Sequence, residues 1–280
     1  MRLLLPRWPR PSIRCNERER LRLVYFGNND RGVLCLRALM EHGHDVACVV
    51  ALPDDRTDDR SGSVKLEAKR LGVPSIEPSN VNDQAVVKHL VGLQAELGVL
   101  SGYTRIVGGA IRASFTHGCI NTHAGKLPFY RGPHPINWQI INGESVIGIA
   151  IIELDEGVDT GPILLQQEFP LGIDDDASIV LKHTLELFPP MLVEAVRRIS
   201  DGTIGRSEQD RNQGTQYTRR YPRDGIILWE AMTALQVHNL VRALARPFPG
   251  AFTYRGVDRL FVWQTELLDE TIKGVPGRVA

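Results

Sequence analysis

LRLVYFGNNDRG, residues 21–32, is the stretch whose reading decides the fold. Its first six residues are mostly aliphatic, β-branched or aromatic, the composition of a short buried strand. Gly27, Asn28 and Asn29 then break the run, and from Arg31 to Glu41 apolar residues recur at helical spacing. A strand, a glycine turn and a helix is the opening of an α/β unit.

The same alternation continues outward. Residues 45–51 form a second apolar run, followed by a polar loop at 53–62 rich in Asp and Arg that we expect to be mobile. Residues 64–71 read as a helix closed by Gly72, 75–77 as a short strand, 83–93 as a helix and 97–102 as another buried strand. Strands alternating with helices imply an α/β protein with a Rossmann-like, doubly wound, mostly parallel sheet. Further along, a strand ends at residues 119–121 and gives way to a Pro/Gly-rich loop at 126–135. A short helix at 136–142 follows, and a strand at 146–154 empties into the acidic turn DEGVDTG, residues 155–161. A strand at 164–169 precedes a long amphipathic helix at 177–199, expected to be interrupted or kinked by Pro189 and Pro190.

Residues 206–225 are polar and lack apolar periodicity, which reads as a linker. The expected organisation is a basic extension at 1–20, a catalytic domain at 21–205, and a linker with a small C-terminal subdomain at 206–280. In that subdomain, a helix at 234–244 precedes a possible hairpin of 251–254 with 260–263, and a β-type segment begins at 277–280. The subdomain reads as a reduced β-rich unit.

Composition narrows the function. Lys plus Arg number 33 and Asp plus Glu 33, giving a formal net charge of zero. A tight nucleic-acid binder ordinarily carries a basic surplus to neutralise phosphates, so a nucleic-acid partner is not expected. No apolar run approaches the roughly 18 residues of a membrane helix, which excludes that class of partner. Cys15, Cys35, Cys48 and Cys119 have neither metal-ligand spacing nor the density of a disulfide scaffold, so a reducing cytoplasm is the expected home. Arg2, Arg7, Arg10, Arg14, Arg18, Arg20 and Arg22, with three prolines between them, suit a disordered lead-in better than a targeting peptide, given Glu17 and Glu19.

In Asn121-Thr122-His123 an amide and an imidazole lie on one side of an extended chain, because strand side chains alternate. Asp159, in the 155–161 turn, could orient that imidazole. When an amine attacks a carbonyl, the tetrahedral intermediate needs a donor for its oxyanion, a base for the ammonium proton and a group that fixes the base's tautomer. Asn121, His123 and Asp159 meet those needs in that order. A structural histidine, or a metal site of His123, His134 and Asp159, are the competing readings. The 27–32 loop, with Asn28 and Asn29, could hold an anion at the following helix N-terminus or be a plain turn. Phe129, Tyr130, Arg131 and His134 offer an aromatic face and a guanidinium for a nucleotide base and phosphate, or form a plain Pro-rich loop.

The segments CINTHAGKLPFYRGPHPINWQIINGE and GIAIIELDEGVDTGPILLQ (119–144 and 148–166) together resemble the core of the folate-dependent formyltransferases. Asn121-x-His123, Leu127-Pro128, Arg131-Gly132 and the Asp155-x-Gly157-x-Asp159-x-Gly161 turn occur in that family's order. The resemblance implies formyl transfer by Asn121, His123 and Asp159, with N10-formyltetrahydrofolate as co-substrate and no metal. It implies donor contacts at Ser101, Tyr103, Arg105, Asp155, Gly157 and Val158. Residues 238–243 and 247–253 are similar to formyltransferases acting on nucleotide-linked amino sugars and to methionyl-tRNA enzymes.

Between these acceptors, the balanced charge favours a nucleotide-linked amino sugar, bound by Asn28, Asn29, Phe129, Tyr130, Arg131 and His134, over tRNA. Such a role would fit O-antigen or polysaccharide biosynthesis, and by analogy a homodimer. An inactive folate or nucleotide-sugar binding module is the alternative from another class.

Overall fold

The computed structural model describes residues 20–52, 62–210, 212–269 and 274–278. The basic extension as far as residue 19, with Cys15, and most of the polar loop at 53–62 therefore lie outside the described residues, as do the last two residues of the chain.

The opening strand and helix are where the sequence puts them: β1 is Arg22–Gly27 and α1 is Asn29–Glu41. The order continues as β2 (Asp45–Ala51), α2 (Val64–Leu71), β3 (Ser75–Ile76), α3 (Gln84–Gly92), β4 (Leu97–Ser101), α4 (Gly109–Arg112) and β5 (Cys119–His123). After these come α5 (Pro135–Ile141), β6 (Val146–Glu153), β7 (Ile163–Pro170), α6 (Ala177–Ser200), α7 (Ala234–Ala243), β8 (Ala251–Arg255) and β9 (Asp258–Val262). Strands β1 to β7 form one sheet in the order β3-β2-β1-β4-β5-β6-β7. Strands β1, β2, β3, β4 and β5 pair in parallel, and β6 joins β5 antiparallel. The sheet is thus the mostly parallel α/β sheet expected. Its strand order reverses between β1 and β4, the position at which open α/β sheets bind ligands.

Helix α6 runs through Pro189 and Pro190 as one helix of 24 residues, so that of the expected interruption or kink the interruption does not occur. Each proline removes an amide donor, but Val180, Phe188, Met191, Leu192, Ala195, Val196 and Ile199 are all buried along it. Burying each of these larger side chains contributes roughly 1.5–3 kcal/mol, enough to outweigh about 3 kcal/mol per proline. The helix α4 was not foreseen; at four residues it is too short to show a period.

The chain divides into two compact units, each drawn from three stretches: residues 1–123, 150–166 and 184–209, and residues 124–149, 167–183 and 210–280. In the first, Val24, Phe26, Val50, Leu90, Leu100, Ile111, Phe115 and Cys119 form an apolar cluster against the sheet. Cys35, Cys48 and Cys119 are buried free thiols, and burial raises their pKa to about 11, 11 and 12. In the second, Ile227, Val237, Leu240, Val241, Leu244 and Ala251 cluster around α7, to which α5 is tied by the Asn137 amide donating to the Ala243 carbonyl at 2.7 Å. Thr233 caps α7 reciprocally with Gln236, and β8 and β9 pair as the expected antiparallel hairpin.

Glycine is required inside β4. A Cβ on Gly98 would lie 2.5 Å from Cys119 Sγ and 2.9 Å from the Phe115 ring. Gly98→Ala is expected to destabilise the protein by about 1–3 kcal/mol through overpacking, and Gly98→Ala/Cys119→Ala to recover part of that loss. Urea denaturation of the two variants against wild type measures both effects.

Candidate active site

In the first unit the ends of three parallel strands fall in one row. Gly27 of β1 is in register with Ser101 of β4, and Ser101 with Thr122 of β5. The Thr122 hydroxyl, buried, donates to Ser101 Oγ at 3.1 Å, so Thr122 faces into the sheet packing. Its neighbours Asn121 and His123 therefore project from the opposite face, two residues or about 6.5 Å apart along the strand. Asn121 is half-buried, while His123 is buried.

The third member arrives from the loop between β6 and β7. His123 Nδ1 lies 3.4 Å from Asp159 Oδ2. That is longer than a formed N–H···O bond, and within the looser range usual before a substrate closes a site. A proton on Nδ1 facing this carboxylate leaves Nε2 as the basic nitrogen. Asp159 itself has φ +55°, the left-handed region that non-glycine residues rarely occupy. The turn that carries it is closed by Asp155, whose Oδ1 accepts from the Gly157 amide at 2.9 Å and the Thr160 hydroxyl at 2.7 Å. A Cβ on Gly161 would collide with the Glu153 carbonyl, so the loop returns flush against the strand it left.

Beside the switch point, the Asn28 amide donates to the Ser101 carbonyl at 3.2 Å. Gly102, at φ +71°, has room for no side chain against the Asn28 carbonyl and the Asn29 amide group. Asn28, Asn29, Ser101 and Gly102 thus border one another. The Tyr103 ring meets Phe26 edge-on at 5.6 Å, and its buried hydroxyl has no partner among the described residues. Arg105 is engaged by backbone, donating to the carbonyls of Pro78 at 2.7 Å and Ser79 at 2.5 Å. Val158, at the tip of the acidic turn, is exposed.

Phe129, Tyr130, Arg131 and His134 belong to the second unit. Phe129 is exposed. Tyr130 is buried, stacks on Tyr217 at 5.0 Å and 3°, and donates its hydroxyl to Glu144 at 2.6 Å. Arg131 is buried as well; its guanidinium donates to the Asp210 carbonyl at 3.2 Å, and its backbone exchanges bonds with Thr215 and Tyr217 at 3.0 and 2.9 Å. Gly132 and Gly214 are needed because a Cβ on either would strike this paired segment. The aromatic face is extended by Trp138, 5.0 Å from Tyr217, with the Arg220 guanidinium 4.7 Å above its ring. His134 caps α5, and burial, with Arg219 and Arg220 adding to it, pushes its imidazole below the usual histidine range.

Sequence reasoning missed Tyr217 and Arg220, which complete the aromatic stack, and Gln209, which reaches the 155–161 turn. All three lie in the polar stretch read as a linker; the only signal there was an unusual run of Gln, Tyr and Arg without period. Among the described residues no group of three or more His, Cys, Asp or Glu is placed to hold a metal. No helix among them is long and apolar enough to cross a membrane.

Residues 21–196 match the formyl transferase family, and residues 220–280 its C-terminal domain. The chain is 33% identical over 264 residues to the methionyl-tRNA formyltransferase of Caldanaerobacter subterraneus subsp. tengcongensis, covering 92% of this chain and 85% of that protein. Among solved structures, a sugar N-formyltransferase from a Shewanella species superposes with a TM-score of 0.70 at 21% identity, over 89% of this chain and 99% of that one. The N-formyltransferase of Helicobacter canadensis, in complex with folinic acid and dTDP-3-aminofucose, superposes with a TM-score of 0.63 at 21% identity, over 80% of each chain. With both parts of its length matched, the chain belongs to the formyl transferase family and is an N-formyltransferase.

Proposed function

We propose that the protein transfers the formyl group of N10-formyltetrahydrofolate to the amino group of a nucleotide-linked amino sugar, with Asn121, His123 and Asp159 as its catalytic residues. The observation that carries the reading is the placement of Asn121 and His123 on one face of β5 with Asp159 against His123 Nδ1.

The acceptor nitrogen attacks the formyl carbon, and the carbonyl oxygen takes the electron pair. The Asn121 amide donates to that oxyanion, an interaction that strengthens as charge develops. His123 Nε2 accepts the proton lost by the acceptor nitrogen, while Asp159 holds the imidazole in the tautomer with its proton on Nδ1. Collapse of the intermediate breaks the bond from carbon to N10, and His123 returns the proton to N10. The products are the formamide and tetrahydrofolate, so atoms and charge balance. The formyl donor packs beside the 155–161 turn, along Ser101, Tyr103, Arg105, Asp155, Gly157 and Val158. The buried Tyr103 hydroxyl, without a protein partner among the described residues, fits a site where a polar group of the donor completes it.

For the acceptor, zero net charge supports a small nucleotide sugar over a polyanion many phosphates long. The Helicobacter canadensis protein, with folinic acid and dTDP-3-aminofucose bound, supports the same choice. Asn28 and Asn29, beside the switch point of the sheet, are the acceptor contacts proposed in the first unit. Tyr130 and Arg131 act by shaping the loop that carries them, since both are held by bonds within their own unit. Initiator methionyl-tRNA is the second reading, favoured by the 33% and 30% identity to bacterial methionyl-tRNA formyltransferases.

Supplied with N10-formyltetrahydrofolate and a panel of dTDP-, UDP- and GDP-linked 3- and 4-amino sugars, the protein is expected to release tetrahydrofolate with at least one of them. Turnover with methionyl-tRNA and none with any sugar would instead establish the second reading. With the working acceptor, His123→Ala is expected to abolish measurable turnover while remaining folded by circular dichroism. Asn121→Ala should lower kcat by about 10²-fold or more. Near-wild-type rates in either variant would remove that residue from the mechanism.

A further inference from the structure

The carboxylate proposed to orient His123 sits on strained backbone. Asp159 is left-handed, a conformation that costs a non-glycine residue roughly 1–2 kcal/mol. At the tip of its loop residues 156–158 are exposed. The clasp made by Asp155 ties down Gly157 and Thr160, but leaves the carbonyls of Asp159 and Gly161 to find donors elsewhere.

Gln209 supplies both. Its Nε2 donates to the Asp159 carbonyl at 3.0 Å and to the Gly161 carbonyl at 2.6 Å, committing the two hydrogens that a primary amide nitrogen carries. The side chain is buried, so water does not compete for these bonds. It reaches the loop because the chain before it is laid along β7: Ser207 and Ile163 exchange backbone bonds of 2.8 and 2.9 Å, and Arg206 pairs with Glu153 at 2.6 Å. No close substitute reproduces the grip. Glutamate has the length but no hydrogens, and asparagine falls one methylene short.

We infer that Gln209 is a positioning residue for the transfer, gripping the carbonyls of Asp159 and Gly161, the residues that flank Thr160, so that the Asp159 carboxylate stays directed at His123 Nδ1. The inference rests on the proposed pairing of His123 with Asp159 in catalysis. Gln209 touches neither reactant; it acts through the angle and distance at which Asp159 meets the imidazole. A displacement of about 1 Å at such a group can cost on the order of 10²-fold in rate.

The experiment is a double-variant cycle, run with whichever sugar or methionyl-tRNA acceptor turns over. Gln209→Ala is expected to lower kcat by about 10- to 100-fold, with KM for N10-formyltetrahydrofolate and for the acceptor within about threefold of wild type. Gln209→Glu, which keeps the volume but reverses donor to acceptor, should behave in the same way and serves if the alanine variant does not fold. In an Asp159→Ala background, removing Gln209 should change kcat by less than about twofold, because the group it positions is gone. A general loss of structure would instead lower kcat in that background by the full single-variant factor, and that additive result, or single Gln209 variants within threefold of wild type, overturns the inference. Asp159→Ala turning over at the wild-type rate is a different failure: it removes the pairing of His123 with Asp159 and the role of Gln209 with it.

Discussion

Strand β5 is hydrogen-bonded on both sides, parallel to β4 and antiparallel to β6, and the site depends on that double pairing. Asn121 is registered against Leu100 on one side and Ile152 on the other. A strand held along both edges cannot slip by one residue without turning Asn121 and His123 into the sheet's packing and Thr122 out of it. The antiparallel partner has a second effect. Because β6 runs back alongside β5, the loop that follows it starts near the base of β5 and must be folded upon itself to bring Asp159 to His123, which is what the Asp155 clasp and the close return at Gly161 accomplish.

The parts of this arrangement visible in sequence are those governed by local periodicity. The alternation of short apolar runs with helical spacing announced the sheet, and Asn121-x-His123 announced two side chains on one face, since both follow from backbone geometry within a few residues. Asp159 was legible because its acidic, glycine-rich turn has few structural reasons to exist. Gln209 was not, because its partners are carbonyl groups some fifty residues away and any polar residue at that position would have looked the same. Tyr130 and Arg131 mark the opposite difficulty. An aromatic beside an arginine resembles a nucleotide platform, yet whether such a pair faces solvent or is consumed by Tyr217 and the Asp210 carbonyl depends on a distant segment of chain. The prolines in α6 belong to the same class: the local cost was legible, while the buried face that offsets it was not.

Two lines bear on the acceptor and pull apart. Identity over most of the chain is higher to methionyl-tRNA formyltransferases than to the sugar enzymes whose folds superpose on it. In this chain Arg131, Arg220 and Arg105 each donate to a carbonyl group of the protein itself.

The three buried thiols carry a consequence for the chemical robustness of the first unit. The reactive form of cysteine is the thiolate, and with pKa values raised to about 11 or 12 no more than about one molecule in 10⁴ is ionised at any of these sites near pH 7. Cys35, Cys48 and Cys119 therefore behave as small apolar side chains that fill the spaces around the sheet. Burial and a suppressed thiolate together leave electrophiles and mild oxidants little foothold in the packing around β1, β2 and β5.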